Sequence, residues 1–402
     1  MSVTAAKGFQ AAGMASGIKP SGAADLALVA TANRAAVTAA GVFTSNLVAA
    51  APVVISRRHL TDGRAAAVVL NSGNANAATG EQGRLDALAS CAAVAGALGC
   101  ATEDVLVCST GLIGFYLNPQ PITTGAPSLV GLLGSGEADG RAAADAILTT
   151  DTVRKEAVAT VELSGGSGTV TATIGGMAKG AAMLAPSMAT MLCVITTDVA
   201  IEVHALEAAL ATAVDCSFNQ LSVDGCKSTN DTVLVLASGE TENVEVRLGS
   251  EGFTQFAGAL AEVCSSLAEQ MARDAEGATK FVRVRVRGAR TKDEARMAAR
   301  SVAQSELVKC SLYGEDPYWG RVLSELGASG AHFDPERVQI SYNGVVACLD
   351  GVDADADADK LHAAMRESEI EIICDLHTGI REATILTTDL THAYIDENMR
   401  TS

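Results

Sequence analysis

The stretch GGMAKGAAMLAPSMATMLCVITTD, residues 175–198, decides how this 402-residue chain is interpreted. It opens with two glycines and Lys179, turns at a proline, and continues into a short apolar run that is typical of a buried strand. Small residues precede Thr190, which stands at the start of that run. A hydroxyl in such a position can attack the preceding carbonyl carbon, which would break the Ala189–Thr190 peptide bond.

This cut would turn Thr190 into the first residue of a new chain. Its α-amine, with a pKa of roughly 7.7–8.0 in model peptides, would then act as the base for its own Oγ. One residue would supply both nucleophile and base, so no Ser-His-Asp arrangement is needed. The spacing alone also fits an ordinary β-branched residue in a buried strand, where threonine is common.

Composition indicates a large folded protein with an acidic surface. The chain has 29 Lys and Arg against 47 Asp and Glu, a formal net charge of −18. Such a surface repels nucleic acid and anionic membranes, so neither is an expected partner. With 48% hydrophobic and 19% charged residues, a large core is expected. The length predicts about two to three domains.

The ten cysteines form no CxxC pair, and the six histidines form no HxxxH or HxH pair. We therefore expect no zinc or other metal site, and buried thiols in a reducing cytoplasm. The longest apolar runs, 65–70 and 191–195, are far shorter than the roughly 20 residues that span a membrane. The first residues lack the apolar core of a signal peptide. The expected location is the cytoplasm.

Periodicity predicts a mixed α/β protein. Strands are expected at 25–30, 40–44, 52–56, 65–70, 105–108, 157–163, 169–174, 232–237, 281–287, 338–341, 344–348, 370–374 and 382–386. Helices are expected at about 80–99, 138–148, 203–214, 254–275, 293–308 and 360–366.

Two loops that follow buried strands carry polar groups. Residues 71–80 contain three amides and two hydroxyls, a pattern that fits either a polar ligand site or a plain Asx-rich turn. The second loop contains Thr110 and Gly111, where backbone N–H groups can point at a developing oxyanion. Strand-Ser-Thr-Gly turns are widespread, so this pattern alone is a weak signal.

Residues 179–198 resemble the self-cleavage segment of the ornithine acetyltransferase family, the glutamate N-acetyltransferases of the cyclic arginine pathway. In that family the chain cuts itself before the threonine of a Met-Ala-Thr-Met-Leu string. The resemblance extends from Gly17 to Asn398. At 316–321 the family carries Asn where this chain has Tyr318. Other similar strings are Ser-Thr-Asn-Asp-Thr-Val at 228–233 and the segment 391–398.

The resemblance implies an αββα sandwich of the ornithine acetyltransferase and N-terminal-nucleophile aminopeptidase type, with a smaller C-terminal α/β domain. Self-cleavage would give an α chain, 1–189, which forms part of the sandwich. The β chain would begin with 190–290, which completes the sandwich, and 291–402 would form the smaller domain. The pieces are expected to stay associated as α2β2.

The implied reaction moves an acetyl group from N2-acetyl-L-ornithine to L-glutamate by ping-pong chemistry through an acetyl-threonine. Thr190 is the expected nucleophile, with Thr110 and Gly111 as the oxyanion site. No cofactor is expected, because the ester stores the acetyl group between two amino-acid substrates. Whether acetyl-CoA is also a donor stays open.

The resemblance places six residues at the substrate. Lys179 is the expected partner of a substrate carboxylate or a group that tunes the terminal amine, and Glu276 would meet the substrate amino group. A terminal hydroxyl is also expected, supplied by either Thr401 or Ser402. The expected substrate-binding residues are Thr150, Lys179, Thr190, Glu276, Asn398 and Ser402.

Three other functions remain to be separated from this one. The first is a related N-terminal-nucleophile aminopeptidase or amidase, in which water hydrolyses the acyl-enzyme. The second is an acetyltransferase that serves a specialised metabolite pathway. The third is a non-enzymatic amino-acid-binding protein, whose chain would stay intact.

Overall fold

The computed structural model describes residues 2–166, 168–185 and 191–399, and the chain divides into two compact units. The first unit comprises Met1–Ala181, Ser187–Asn219 and Lys227–Met271. The second unit comprises Ala182–Pro186, Gln220–Cys226 and Ala272–Ser402. The second unit thus begins before the predicted boundary at 290.

Among the residues that the structure describes, the first unit contains ten strands and most of the long helices. Its strands are β1 (Phe9–Met14), β2 (Leu26–Thr31), β3 (Val37–Phe43), β4 (Arg64–Ala65), β5 (Ala67–Asn74), β6 (Val105–Leu112), β7 (Lys155–Gly165), β8 (Gly168–Lys179), β9 (Leu192–Thr197) and β10 (Thr232–Ala237). Its helices are α1 (Ala51–His59), α2 (Gly80–Leu98), α3 (Gln120–Gly131), α4 (Glu137–Ala146), α5 (Val203–Asp215) and α6 (Glu251–Arg273), whose last two residues belong to the second unit.

These strands form two sheets, one with the order β1-β2-β5-β6 and one with the order β4-β3-β10-β9-β8-β7. The β5–β6 and β9–β10 pairs are parallel, and the other pairs are antiparallel. One strand of each parallel pair lies next to a predicted site residue, since β6 contains Thr110 and Gly111 at its end and β9 begins at Leu192, two residues after Thr190.

The two sheets pack face to face, and helices cover their outer faces. Between the sheets lies a core to which Val29 and Leu70 contribute from the first sheet and Val194 and Leu234 from the second. Alternate residues of the first sheet, such as Leu28, pack on the other side against α1, α2 and α3. The fold is thus the predicted αββα sandwich, and central strands such as β2 and β9 are buried along their whole length.

One predicted strand is wrong. Residues 52–56 lie in α1, where the buried residues recur at 51–53, 55–56 and 59, the spacing of a helix face. Pro52 occupies the first turn, where a missing backbone N–H costs no helical hydrogen bond. The run of β-branched residues favoured a strand, but the packed face of the helix outweighs that local propensity.

The predicted helices also differ from the structure in several places. No helix was predicted between 99 and 138, yet α3 occupies Gln120–Gly131. The single helix predicted at 293–308 is divided into α7 and α8 at Ser305. The Ser305 side chain accepts a hydrogen bond from the Val308 N–H, so it caps the second helix.

The second unit is a six-stranded sheet with helices. Its strands follow the order β14-β13-β12-β15-β11-β16. They are β11 (Phe281–Ala289), β12 (Gln339–Tyr342), β13 (Val345–Leu349), β14 (Val352–Asp353), β15 (Glu369–Asp375) and β16 (Arg381–Thr388). The helices are α7 (Lys292–Gln304), α8 (Glu306–Tyr313), α9 (Trp319–Ala328), α10 (Ala358–Arg366) and α11 (His392–Asn398).

Strand β11 shows the alternation that the sequence predicts. Val282, Val284 and Val286 are fully buried, while Arg285 and Arg287 on the other face pair with carboxylates of neighbouring strands. In the described parts of the chain, no helix has the length and apolar character needed to cross a membrane.

Candidate active site

Thr110 and Gly111 lie at the end of β6, where Gly111 pairs with Gly73 of the parallel strand β5. Gly111 has a φ of +132°, a conformation that residues with a side chain rarely adopt. A Cβ atom at this position would lie 2.3 Å from the Gly73 carbonyl carbon. The close approach of the two strand ends therefore requires glycine here.

A buried polar network fixes the ends of these two strands. The Asn230 side-chain amide donates to the Ser109 carbonyl oxygen at 2.8 Å and to the Ala75 carbonyl oxygen at 2.6 Å. The Ser109 hydroxyl donates to Asn71 Oδ1 at 2.6 Å. Because these groups are buried, each bond that is lost would leave an unpaired polar atom, and the turn that carries Thr110 is held in place.

The amides of residues 71–80 bond within the protein. Asn71 Nδ2 donates to the Asn74 carbonyl oxygen at 3.0 Å, and Asn74 Nδ2 to the Phe115 carbonyl oxygen at 3.3 Å. Asn76 Nδ2 donates to the Gly83 carbonyl oxygen at 2.9 Å. These bonds favour the Asx-rich turn over a ligand-binding loop.

Lys179, at the end of β8, is buried beside the predicted oxyanion turn. Its ammonium donates to Thr110 Oγ1 at 3.3 Å and to Thr149 Oγ1 at 2.6 Å. It also lies 3.5 Å from Asp151 Oδ2, and the Asp151 side chain is fully buried. The structure thus brings together two residues that the sequence placed at the site, Lys179 and Thr110.

Asp151 connects two buried lysines. Its Oδ1 accepts from Lys155 Nζ at 2.5 Å and from the Gly180 N–H at 2.7 Å. Burial by itself would raise the pKa of Asp151, but the positive charges of Lys179 and Lys155, together with these hydrogen bonds, hold it well below its usual value. The carboxyl group is therefore ionised at neutral pH.

The sequence-based prediction missed three members of this cluster, Thr149, Asp151 and Lys155. The resemblance points to Thr150, which is exposed, whereas the neighbouring Thr149 bonds Lys179. Lys155 lies in an alternating strand and gave no local signal, because its role appears only where the fold brings the Lys155–Asp151 pair beside Lys179.

The predicted cleavage pair Ala189 and Thr190, and the predicted terminal contact Ser402, lie outside the described residues. The first described residue after the cleavage pair is Met191, whose N–H donates to Asp231 Oδ1 at 3.0 Å. Burial raises the pKa of Asp231 well above its usual value, and the hydrogen bond from Met191 opposes this effect. A buried carboxyl group thus holds the chain one residue after the predicted nucleophile.

In the second unit, Glu276 and Asn398 are in direct contact. Asn398 Nδ2 donates to Glu276 Oε2 at 2.7 Å and to the Tyr394 carbonyl oxygen at 2.9 Å. Thr391 caps α11 by accepting from the Tyr394 N–H, and its hydroxyl donates to the Gly277 carbonyl oxygen at 2.7 Å. This anchoring holds the two predicted residues side by side. Among the described residues, no group of three His, Cys, Asp or Glu side chains could hold a metal ion.

Comparison with known proteins identifies the family. A model of the ArgJ family matches residues 10–401. The chain is 47% identical to the arginine biosynthesis bifunctional protein ArgJ of Streptomyces coelicolor over 398 residues, 99% of each chain. Identity to the protein of the same name from Mycobacterium bovis is 47% over 401 residues, 98% of this chain and 95% of that one. A crystal structure of ornithine acetyltransferase complexed with ornithine, from Mycobacterium tuberculosis, matches at 45% identity over 46% of this chain and 95% of that chain, with a TM-score of 0.41. The resemblance found in the sequence is confirmed, and the chain belongs to the ArgJ family.

Proposed function

We propose that this protein is a self-cleaving glutamate N-acetyltransferase that moves acetyl from N2-acetyl-L-ornithine to L-glutamate. Membership of the ArgJ family assigns the chain acetyl transfer in arginine biosynthesis. The observation that carries the mechanism is the buried ammonium of Lys179 bonded to the hydroxyl of Thr110, next to the glycine at the end of β6. Donors fixed in a buried site are the usual means of stabilising a tetrahedral oxyanion.

The proposed first half-reaction begins with Thr190 as an N-terminal residue. Its Oγ attacks the acetyl carbonyl carbon, and its α-amine takes the hydroxyl proton. Thr110 and Gly111 donate hydrogen bonds to the resulting oxyanion. The C–N bond to ornithine breaks, the departing nitrogen takes the proton, and the acetyl group remains on Thr190 as an ester.

In the second half-reaction, the glutamate amine attacks the ester carbonyl carbon. The C–O bond breaks, Thr190 Oγ recovers a proton, and N-acetylglutamate leaves. We propose that Lys179 supplies positive charge for a substrate carboxylate. Glu276 recognises the substrate amino group, and Asn398, Thr150 and Ser402 are further contacts that the family resemblance suggests. No cofactor takes part in this scheme.

The first test is the chain itself. Mass spectrometry of the purified protein should find a second N-terminus at Thr190, and a denaturing gel should show two pieces in place of one band near 40.9 kDa. Thr190→Ala should give intact, inactive chain, whereas Thr190→Ser keeps a hydroxyl and should still be cut. Active protein with an intact Ala189–Thr190 bond would refute the mechanism.

The second test is the reaction. Incubation with N-acetylornithine and glutamate should release ornithine and N-acetylglutamate in equal amounts. Release of acetate without N-acetylglutamate would instead support the aminopeptidase or amidase alternative. Acetyl-CoA offered in place of N-acetylornithine shows whether it is a second donor, and native mass spectrometry of the cleaved protein tests the α2β2 assembly that we propose.

A further inference from the structure

Chemistry sets the direction of the hydrogen bond between Lys179 and Thr110. A lysine ammonium has three protons and no lone pair, so it can only donate. Thr110 Oγ1 therefore accepts from Lys179, at 3.3 Å, and the single hydroxyl proton of Thr110 must point to a different acceptor. The buried ammonium thus leaves Thr110 as a donor, which is the role an oxyanion site requires.

The same geometry would fail if Lys179 were neutral. A neutral amine carries a lone pair, which could accept the Thr110 proton and withdraw it from the substrate. Lys179 is almost completely buried, and burial favours the neutral form of a lysine. An opposing charge is needed to keep it protonated, and Asp151 Oδ2 lies 3.5 Å away.

Lys155 completes the arrangement from the opposite side of the carboxylate. Its fully buried ammonium bonds Asp151 Oδ1, while Lys179 lies near Oδ2. This contact fixes the orientation of the Asp151 carboxylate. It also neutralises part of the negative charge that Lys179 experiences, so the two lysines compete for one carboxylate.

We propose that Asp151 and Lys155 are positioning residues that set the protonation of Lys179 and thereby direct the Thr110 hydroxyl proton to the substrate oxyanion. This inference rests on the proposed function, because the oxyanion is the acceptor that it requires. Neither residue needs to touch the substrate.

Other charged groups also act on Lys179. The positive charge of Lys19 repels that of Lys179. Burial and this repulsion both lower the pKa of Lys19, which weakens its positive charge. Asp231 attracts Lys179 when ionised, but burial raises the pKa of Asp231 and so disfavours that form. Asp151 is the carboxylate that lies 3.5 Å from the Lys179 ammonium, and the proposal rests on this contact.

Three variants of the full chain test the proposal: Asp151→Asn, Asp151→Glu and Lys155→Met. For each, kcat and KM for ornithine release from N-acetylornithine are measured with saturating glutamate from about pH 6 to pH 10. Melting temperatures over the same range report folding, and mass spectrometry reports self-cleavage.

Asp151→Asn should move the alkaline fall in kcat to lower pH, because a neutral partner lowers the pKa of Lys179. Beyond that fall, kcat should drop about 100-fold, as expected for one lost oxyanion donor, with a smaller change in KM. Asp151→Glu should restore most of the wild-type pH profile. Lys155→Met should move the alkaline fall in the opposite direction, to higher pH.

Opposite shifts cannot come from general destabilisation, which would lower kcat in both variants without moving the profile in opposite directions. If Asp151→Asn fails to fold or to cut itself, the test rests on Lys155→Met. If the alkaline fall in kcat does not move to higher pH in that variant, the proposal is overturned. Unshifted profiles in both variants of an enzyme that transfers acetyl would refute only the positioning role. A wild-type chain that is cut but releases no ornithine would refute the proposed function and this inference with it.

Discussion

Replacing Gly111 with alanine tests whether the close approach of β5 and β6 is what shapes the oxyanion turn. The new Cβ would lie 2.3 Å from the Gly73 carbonyl carbon and 2.5 Å from the Asn74 nitrogen, both backbone atoms that cannot rotate away. The φ of +132° adds about 1–3 kcal/mol for a residue with a side chain. Overpacking adds about 1–3 kcal/mol more.

The expected loss is therefore about 2–6 kcal/mol, a large part of the roughly 5–15 kcal/mol by which domains are stable. If the strand ends separate to relieve the clash, the Gly111 N–H moves, and acetyl transfer should fall by about 100- to 1000-fold.

Gly114→Ala is the matched control for this prediction. Gly114 has a φ of +89° and no atom within 4 Å of its virtual Cβ, so its replacement carries the conformational cost without the clash. Urea unfolding should give Gly111→Ala the lower midpoint of the two variants, and ornithine release should fall in Gly111→Ala alone. Equal midpoints and equal activities would show that the contact with Gly73 does not shape the site.

Three further predictions concern buried charges, and urea midpoints across pH check each of them. The pKa of Asp151 is lowered in the folded protein, so the ionised carboxylate stabilises the fold above about pH 4, and this contribution is lost as the pH falls further. Asp151→Asn should not show this loss of stability at acid pH. The pKa of Asp231 is raised in the folded protein, so the stability of the wild type should decrease as the pH rises from about 4 through the raised value. Asp231→Asn should remove that decrease, because the amide does not ionise, while the amide oxygen can still accept the hydrogen bond from the Met191 N–H. Burial lowers the pKa of Lys309 to about 8, although the negative charges of Asp389 and Asp224 oppose this effect. The stability of the wild type should therefore rise between about pH 8 and about 10.4, and that of Lys309→Met should not. The opposite pH slope in any of the three would contradict the assigned direction.

The sequence predicts well those elements whose pattern is local. Helix α2 begins and ends where its glycines place it, since Gly99 adopts the left-handed conformation that closes a helix. The valines of β11 alternate with arginines, and the strand buries one face as expected. Residues 52–56 were assigned wrongly because five residues show neither period clearly, and only packing separates a short helix from a strand.

The residues of the candidate site also fall into those that the sequence identifies and those that it does not. Thr110, Gly111 and Lys179 stand in strings that a family resemblance can identify from the sequence alone. Thr149 and Lys155 cannot be found by pattern, because Thr149 bonds the distant Lys179 and Lys155 acts on that residue only through Asp151. The choice between adjacent threonines at 149 and 150 depends on which side chain faces Lys179, a property of backbone direction that no local signal carries.

The buried cluster places positive charge in a protein whose overall charge is negative, which bears on how the proposed anionic substrate would bind. The chain carries a net charge of −18, which repels glutamate at long range. At short range, however, the ammonium groups of Lys155 and Lys179 both lie at the carboxylate of Asp151, so the cluster places two buried cations together. A buried positive charge is costly unless an anion compensates it. A substrate carboxylate or a developing oxyanion would supply that compensation, so the cluster should bind both more tightly than it binds a neutral group of the same shape.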